Sequence, residues 1–272
     1  MKILFNVEYH TTFGENLVLN ILPEKEGGKV SQHKMTTLDG ELWFVEIRKE
    51  TKPSSFIDYY YSLMRGDQEA RHEWMVEPHR LEFAATKAVR YVVYDHWIDI
   101  PEDAYMYSSA FMECVAARKR ALSTKSEYQR TIRLKVRAPQ LRMGEKLAIV
   151  GEPESLGAWN PLKAIVMDEH EYNEWAVSLD ASRLPFGRFE FKFMIIGNET
   201  DSPMWEPGAN RSIEVPETGA NEVVVYELVQ AHFPIYPWKG AGTVVPIFSL
   251  RSEGSFGVVD FGDLKLMIDW VS

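Results

Sequence analysis

The sequence predicts an all-β protein: two tandem immunoglobulin-like β-sandwiches with a partly helical linker between them, followed by a single βα unit. Three observations carry that reading. Short β-rich runs alternate with glycine- and aspartate-bearing turns, the pattern of sandwiches rather than of helical domains. The two halves of the chain match one another at a nearly constant spacing of 130 to 132 residues. Helical periodicity is confined to one central stretch and to the C-terminal end.

Taken in order, the first half carries strand-like runs at 3–9, 17–22, 42–48, 56–64 and 88–94. Turn signals separate them at Phe13-Gly-Glu-Asn, Glu26-Gly-Gly and Leu38-Asp-Gly. Residues 95–127 form the linker. It starts extended and acidic, and Pro101 marks a helix boundary. Residues 108–122 then favour helix by composition, with Phe111, Val115 and Arg118 on one face. The second half repeats the strand pattern at 132–136, 147–150, 175–179, 189–195 and 222–228. The expected units are a first sandwich at 1–96, a linker at 97–128, a second sandwich at 129–231 and a C-terminal unit at 232–272.

The chain has 272 residues, of which 45% are hydrophobic and 12% aromatic, enough for a packed core in about two domains. A net charge of −10 argues against nucleic acid or an anionic membrane as partner, since both require a basic face. It permits a neutral polymer. Cys114 is the only cysteine, so no internal disulfide can form, and its apolar neighbours make it an inert packed thiol. The N-terminus has too short an apolar run for a signal peptide, and no apolar stretch reaches membrane length. The expected location is cytoplasmic. Seven histidines are scattered without metal-ligand spacing, so neither metal nor cofactor is expected, and each histidine reads as surface or satisfied core.

The most informative stretch runs from 148 to 211. It holds Leu156-Gly-Ala-Trp159-Asn, then Phe189-Glu-Phe191-Lys192-Phe193, then Trp205-Glu206-Pro-Gly-Ala-Asn210-Arg211. Gly157 frees the backbone for a turn that carries Trp159. Phe189, Phe191 and Phe193 alternate with Glu190 and Lys192, which places the lysine on the opposite strand face from the phenylalanines. Pro207 and Gly208 put Trp205 at a strand end or loop. Two indoles and a lysine outside regular core positions read in either of two ways. They form a sugar platform, the flat indoles covering the C–H face of a glucose ring while polar groups meet its hydroxyls. Alternatively, both tryptophans pack inside.

Leu-Gly-x-Trp, Phe-x-Phe-Lys-Phe and Trp-Glu-x-Gly-x-Asn-Arg, in that order, resemble carbohydrate-binding module family 20, the starch-binding domain, over about residues 129–230. The resemblance implies an α-1,4-glucan partner such as starch, glycogen or maltooligosaccharides. It also implies a site in which Trp159 and Trp205 stack, Lys192 hydrogen-bonds, and Glu206 and Asn210 add polar contacts. The family's second site begins with a tyrosine before Gly-Glu. Met143 stands there, before Gly144-Glu145, which leaves that second site in doubt.

Between the halves, Phe13-Gly-Glu matches Met143-Gly-Glu, Trp43 matches Trp175, Trp74 matches Trp205 and Arg80 matches Arg211. Two copies of one fold is the simplest account. In the first copy no tryptophan stands where Trp159 would have a counterpart, Tyr60 takes the place of Lys192, and His79 that of Asn210. Phe13, Tyr60 and Trp74 therefore form either a weaker or displaced glucan site, or the packed aromatics of a structural spacer. Trp43 and Trp175 fall mid-strand and read as core.

The C-terminal unit predicts a strand at 243–248, a loop at 249–257, and an amphipathic helix with Leu264, Met267, Ile268 and Val271 on one face and a cap at Asp260 or Asp263. One βα unit cannot bury its faces alone, so the chain reads as a fragment of a longer protein. Pro246-Ile-Phe-Ser-Leu-Arg-Ser-x-x-Ser-Phe-Gly257 and Asp260-Phe-Gly-Asp-Leu-Lys265 resemble the start of glycoside hydrolase family 77, the 4-α-glucanotransferases. That resemblance implies a truncated (β/α)8 barrel and an enzyme, at full length, that transfers glucosyl or glucan units between maltose or maltooligosaccharides and polysaccharide. The implied chemistry is retaining and uses two carboxylates. Both would lie past residue 272, so no catalytic residue is assigned and this fragment is expected to be non-catalytic. A non-catalytic glycogen-binding scaffold and a pair of protein-interaction sandwiches remain the alternatives.

Overall fold

A computed structural model describes residues 1–271 apart from 26, 51, 53–54, 84–87, 89, 109–110, 112–127, 140, 142–143, 172, 198–201, 234–244 and 255–260. The chain divides into two compact units, Met1–Phe233 and Pro234–Ser272.

Among its described residues, the first unit is built of β-strands joined by loops and short helical turns. Its strands are β1 (Lys2–Glu8), β2 (Glu15–Ile21), β3 (Ser31–Lys34), β4 (Thr36–Thr37), β5 (Leu42–Arg48), β6 (Phe56–Arg65), β7 (Gln68–His72), β8 (His79–Glu82) and β9 (Arg90–His96) in the first half. The second half has β10 (Arg130–Arg137), β11 (Lys146–Gly151), β12 (Ile165–Val166), β13 (Asp168–Glu171), β14 (Glu174–Asp180), β15 (Gly187–Ile196), β16 (Met204–Trp205), β17 (Arg211–Val215) and β18 (Glu222–Leu228). Each run expected from β-branched and aromatic patterning lies on one of these strands. The expectation missed the short ones, β3, β4, β7, β8, β12, β13, β16 and β17, each of two to five residues.

The pairing repeats strand for strand. In the first half β2 pairs β3 and β6, β6 also pairs β7 and β8, and β1 lies between β5 and β9. In the second half β11 pairs β12 and β15, β15 also pairs β16 and β17, and β10 lies between β14 and β18. The repeat is thus visible in hydrogen bonds as well as in sequence.

The halves are joined by more than the linker. β9 and β18 run parallel and hydrogen-bonded, so that one eight-stranded sheet, β13-β14-β10-β18-β9-β1-β5-β4, crosses the whole unit. Each half adds a five-stranded sheet of its own. The register of the seam pairs Val93 with Val225 and Tyr94 with Tyr226. Val93 and Val225 lie in the first core, among Phe5, Leu19 and Tyr61. On the other face Tyr94 stacks on Tyr226, whose hydroxyl donates to the Glu214 carbonyl of β17. Side chains alternate across a strand, so the two small sheets cover opposite faces of the long one.

The second core is built from the alternation in β10 and β15. Ile132, Leu134 and Val136 are buried, as are Phe189, Phe191 and Phe193, whose rings contact in sequence. Trp43 and Trp175 are both buried, each as the second residue of its strand rather than mid-strand. The basic residues of β10, Arg133, Lys135 and Arg137, alternate with its apolar ones and would ordinarily face water. They are buried instead, and donate to the carbonyls of Glu82, Arg80 and Glu77 in the first half.

In the linker only the 3-10 turn Ala104–Tyr107 and its flanks are described, and nearly all of the helix expected at 108–122, with Cys114, lies outside the described residues. Met143 lies outside them too. In the second unit the expected strand at 243–248 is not borne out where it is described. Ile247–Ser249 is a 3-10 turn opened by Pro246, whose missing N–H removes a ladder donor. The expected helix is α1 (Phe261–Val271), with Asp263 in its first turn. The cap position Asp260 lies outside the described residues.

Candidate functional site

The outer face of the second small sheet carries the residues singled out by the sequence. Phe191 and Phe193 point into the core, so Glu190, Lys192 and Met194 of β15 lie on the opposite face, where Met194 is itself buried in a small cluster with Ala148 and Val150. β11 places Val150 beside Lys192, and β16 places Trp205 beside Met194. Both indoles are partly exposed, Trp205 at 38%.

Trp159 is presented by an unusual backbone. Gly157, Ala158 and Trp159 are all left-handed, with φ of 86°, 49° and 60°. Left-handed conformations cost a bulky residue free energy and persist only where surroundings fix them. Here the Trp159 N–H donates to the Gly151 carbonyl at 2.9 Å and the Ala158 N–H to that of Pro153 at 3.1 Å. A Cβ at Gly157 would come within 2.9 Å of the Lys163 carbonyl oxygen, so glycine is needed for close approach as well as for φ.

Lys192 binds the loop that carries Trp205. Its Nζ donates to the carbonyls of Gly208 at 2.6 Å and Glu206 at 3.1 Å. The ammonium has three N–H groups, so one remains for a ligand. Asn210 is exposed and its Nδ2 donates to Glu190 Oε2 at 2.8 Å. Glu206 is placed differently from the polar contact that the motif implies. Its side chain is 8% exposed, and both carboxylate oxygens are held by Arg211, at 2.9 and 2.7 Å. The structure thus brings Lys192, Trp205, Glu206 and Asn210 together, with Trp159 hydrogen-bonded by its backbone to the end of β11, one residue past Val150.

The first-half candidates do not converge. Phe13 is fully exposed on the β1–β2 turn. Tyr60 lies on the outer face of its sheet, edge-on to His72 with ring centroids 6.3 Å apart. Trp74 packs edge-on against Tyr107 of the linker turn at 5.2 Å, and its backbone N–H donates to the Ile98 carbonyl. The alignment by residue identity also shifts. Tyr59 pairs with His79 as Phe191 pairs with Arg211, and the N–H groups of Glu73 and Glu206 donate to Tyr61 and Phe193, which are cross-strand from Leu19 and Ile149. The counterparts are therefore His79 with Arg211 and Glu73 with Glu206. The correction arises because six positions separate Glu73 from His79 but five separate Glu206 from Arg211.

A second polar cluster, which sequence reasoning missed, lies inside the seam. Among the described residues His79, Asp95 and Glu227 are the set whose ligand atoms lie close enough, within 4.8 Å, to hold a metal. Both nitrogens of His79 are engaged, Nδ1 with Glu227 at 2.9 Å and Nε2 with Glu73 at 3.0 Å. Lys135 and Arg137 each lie 3.7 Å from the Glu227 carboxylate, so the cluster carries its own cations. Burial opposes the charged form of His79, but Glu73, Glu227 and Asp95 outweigh it and lift the ring well above its ordinary value. Burial likewise pushes the Asp95 carboxyl up to about 6, against the pull of His79. Burial would raise Glu227 as well, yet His79 and Lys135 hold it well below the usual carboxylate range. The residues involved span more than 150 positions, so no local motif announces the cluster.

Comparison with known proteins places the outer-face site in context. Residues 129–225 match the family model of the starch binding domain, carbohydrate-binding module family 20, and that segment is a starch binding domain. A 4-alpha-glucanotransferase DPE2 of Oryza sativa subsp. japonica is 25% identical over 295 aligned positions, covering 99% of this chain and 30% of the relative. An alpha-amylase of Streptomyces violaceus is 35% identical over 81 positions, covering 28% of this chain and 13% of the relative. Among solved structures, the family 20 module of the maltotetraose-forming amylase of Pseudomonas saccharophila aligns at 22% identity and a TM-score of 0.29, covering 36% of this chain and 99% of that one. The chain spans less than a third of the length of these curated relatives.

Proposed function

We propose that this chain is the α-1,4-glucan-binding region of a 4-alpha-glucanotransferase, and that glucan docks on the outer face of the second small sheet. The observation that carries the site is Lys192, which pins the Trp205 loop from that face while keeping one N–H for a sugar hydroxyl. Trp159 and Trp205 supply the apolar platforms, and Asn210 with its partner Glu190 supplies exposed polar groups.

In this reading residues 1–96 and 129–231 are two copies of one sandwich module, and 232–272 opens a catalytic (β/α)8 barrel. The alignment to a 4-alpha-glucanotransferase over 99% of the chain supports that arrangement. The whole protein would transfer glucosyl or glucan units between maltose or maltooligosaccharides and polysaccharide, in the cytoplasm. The modules would raise the local concentration of a long glucan at the barrel, so that weak sites suffice. No residue of this chain is given a catalytic role. The first module serves as spacer, since Trp74 is turned onto Tyr107 and Phe13 and Tyr60 stand apart.

The test is calorimetric titration of the 272-residue chain with β-cyclodextrin beside Trp205→Ala. Saturable binding that disappears in the variant supports the site. Binding that survives moves it to another face.

A further inference from the structure

Glu206 is buried against a half-buried Arg211, and their arrangement has a purpose for the site above them. Arg211 donates Nε and Nη2 to the two oxygens of Glu206. Its remaining N–H groups reach the Val229 carbonyl at 2.7 Å and the Gln230 carbonyl at 3.1 Å, past the end of β18. Its guanidinium lies 5.1 Å from the centre of the Phe193 ring. The Glu206 N–H in turn donates to the Phe193 carbonyl at 2.9 Å. The residue directly before Glu206 is Trp205. One cation, Lys192, thus holds the carbonyls of this loop on the outer face, and another, Arg211, holds its carboxylate beneath.

We propose that the Glu206–Arg211 pair is a positioning clasp that sets the angle of the Trp205 indole and the reach of Lys192 for an α-1,4-glucan, and that Glu206 does not itself contact the sugar. This rests on the reading of the outer face as the glucan site. Three features support it. The pair is bidentate, the geometry that fixes orientation as well as distance. It anchors a two-residue strand, β16, that has too few ladder bonds to fix itself. The first repeat provides a natural comparison. There the equivalent pair is Glu73–His79, and the second nitrogen of the histidine is spent on Glu227 in the seam instead of on carbonyls of its own repeat. The residue before Glu73, in the place of Trp205, is His72, whose imidazole stands edge-on to Tyr60, while Trp74 on the other side of Glu73 is turned onto Tyr107. Where the clasp is diverted, an imidazole stands in place of the indole.

The experiment is a double-mutant cycle of Glu206→Gln and Arg211→Lys in the 272-residue chain, read by β-cyclodextrin affinity and by 19F resonances of 5-fluorotryptophan-labelled protein. Trp205→Phe assigns the Trp205 resonance, and the buried Trp175 serves as control. Arg211→Lys keeps the compensating charge, so the chain folds while the bidentate geometry is lost. Each single variant is expected to lower affinity about tenfold. The double variant is expected to lose no more than either single one, because both remove the same clasp. The Trp205 resonance should shift in all three variants without ligand, while that of Trp175 stays. Multiplying losses in the double variant would mean that Glu206 and Arg211 act separately, and would overturn the proposal. An unmoved Trp205 resonance would overturn it too, whatever the affinities. Should Trp205→Ala bind as tightly as the unmodified chain, the glucan-site reading fails on its own account, and the ligand-free 19F comparison still decides whether the clasp sets the indole.

Discussion

Tyr94 and Tyr226 lie ring on ring, 4.7 Å apart and within 9° of parallel, directly cross-strand at the join between the two halves. They close one side of a seam whose other side is a buried ion network. A parallel strand pair, a stacked aromatic pair and a charge cluster all bind the halves into one unit, and this makes the behaviour of each half depend on the other.

The second half alone should therefore be less stable than it is in the chain. A segment of residues 129–231 loses β9, uncovering Val223 and Val225 and the basic row of β10. Exposed strand edges of that kind self-associate. The expected outcome is a lower unfolding midpoint than that of residues 1–233, and dimerisation on size-exclusion chromatography. A monomer with the parent's midpoint would count against the shared sheet as a source of stability.

Lys135 compensates two buried carboxylates at once. Its Nζ lies 3.1 Å from Glu174 and 3.7 Å from Glu227, and donates to the Arg80 carbonyl at 2.6 Å. Lys135→Met leaves those acids buried with less charge to balance them. Removing one partner of a buried pair costs about 3–5 kcal/mol. Chemical denaturation should show a loss of that size, and a variant as stable as the parent would refute the role.

The seam also predicts a pH dependence. Asp95 ionises higher in the folded state than in the unfolded one, so the unit loses stability as pH rises from about 4 to about 6. His79 is raised as well: its contribution is complete below the unfolded value of about 6.5 and is lost as pH climbs through the folded one. Glu227 is depressed, so its contribution is present above about 4.5 and fades in acid. Thermal midpoints should peak in mild acid, near pH 5, and fall toward alkaline pH. Asp95→Asn should flatten the slope between pH 4 and 6, and an unchanged slope would contradict the assignment.

Two tryptophans should separate stability from binding. Trp205→Ala is expected to weaken glucan binding by about 1–3 kcal/mol with little effect on folding. Trp175→Ala removes a buried indole and should destabilise the unit by about 3–5 kcal/mol. Paired calorimetry and thermal melts measure both. Equal melts for Trp175→Ala and the parent would sink the core assignment.

Much of this was legible in the residues, and what was missed has physical reasons. Phe189 to Phe193 alternate, so the outward direction of Lys192 could be read from period alone. Gly157 announced the turn that carries Trp159. The burial of Arg133, Lys135 and Arg137 was hidden, because a basic row alternating with an apolar one looks the same whether it meets water or another half of the molecule. The role of Glu206 was hidden because a carboxylate in a ligand-binding motif and one bound by an arginine five residues later share the same letters. The pairing of His79 with Arg211 required hydrogen-bond register, since matching Trp74 to Trp205 gave the wrong frame by one residue.

The seam also has a mechanical meaning. β18 is the last strand before the chain leaves the first unit, and it lies between two parallel neighbours, β10 and β9. Tension drawn along it loads two ladders of hydrogen bonds in shear, so that many must break together instead of one after another. Under the proposed glucan-binding reading, a polymer held on the second half would be pulled against the chain beyond Phe233 without peeling that half apart. The first half supplies one of those two ladders through β9, so under that reading it would reinforce the grip even where it holds no sugar itself.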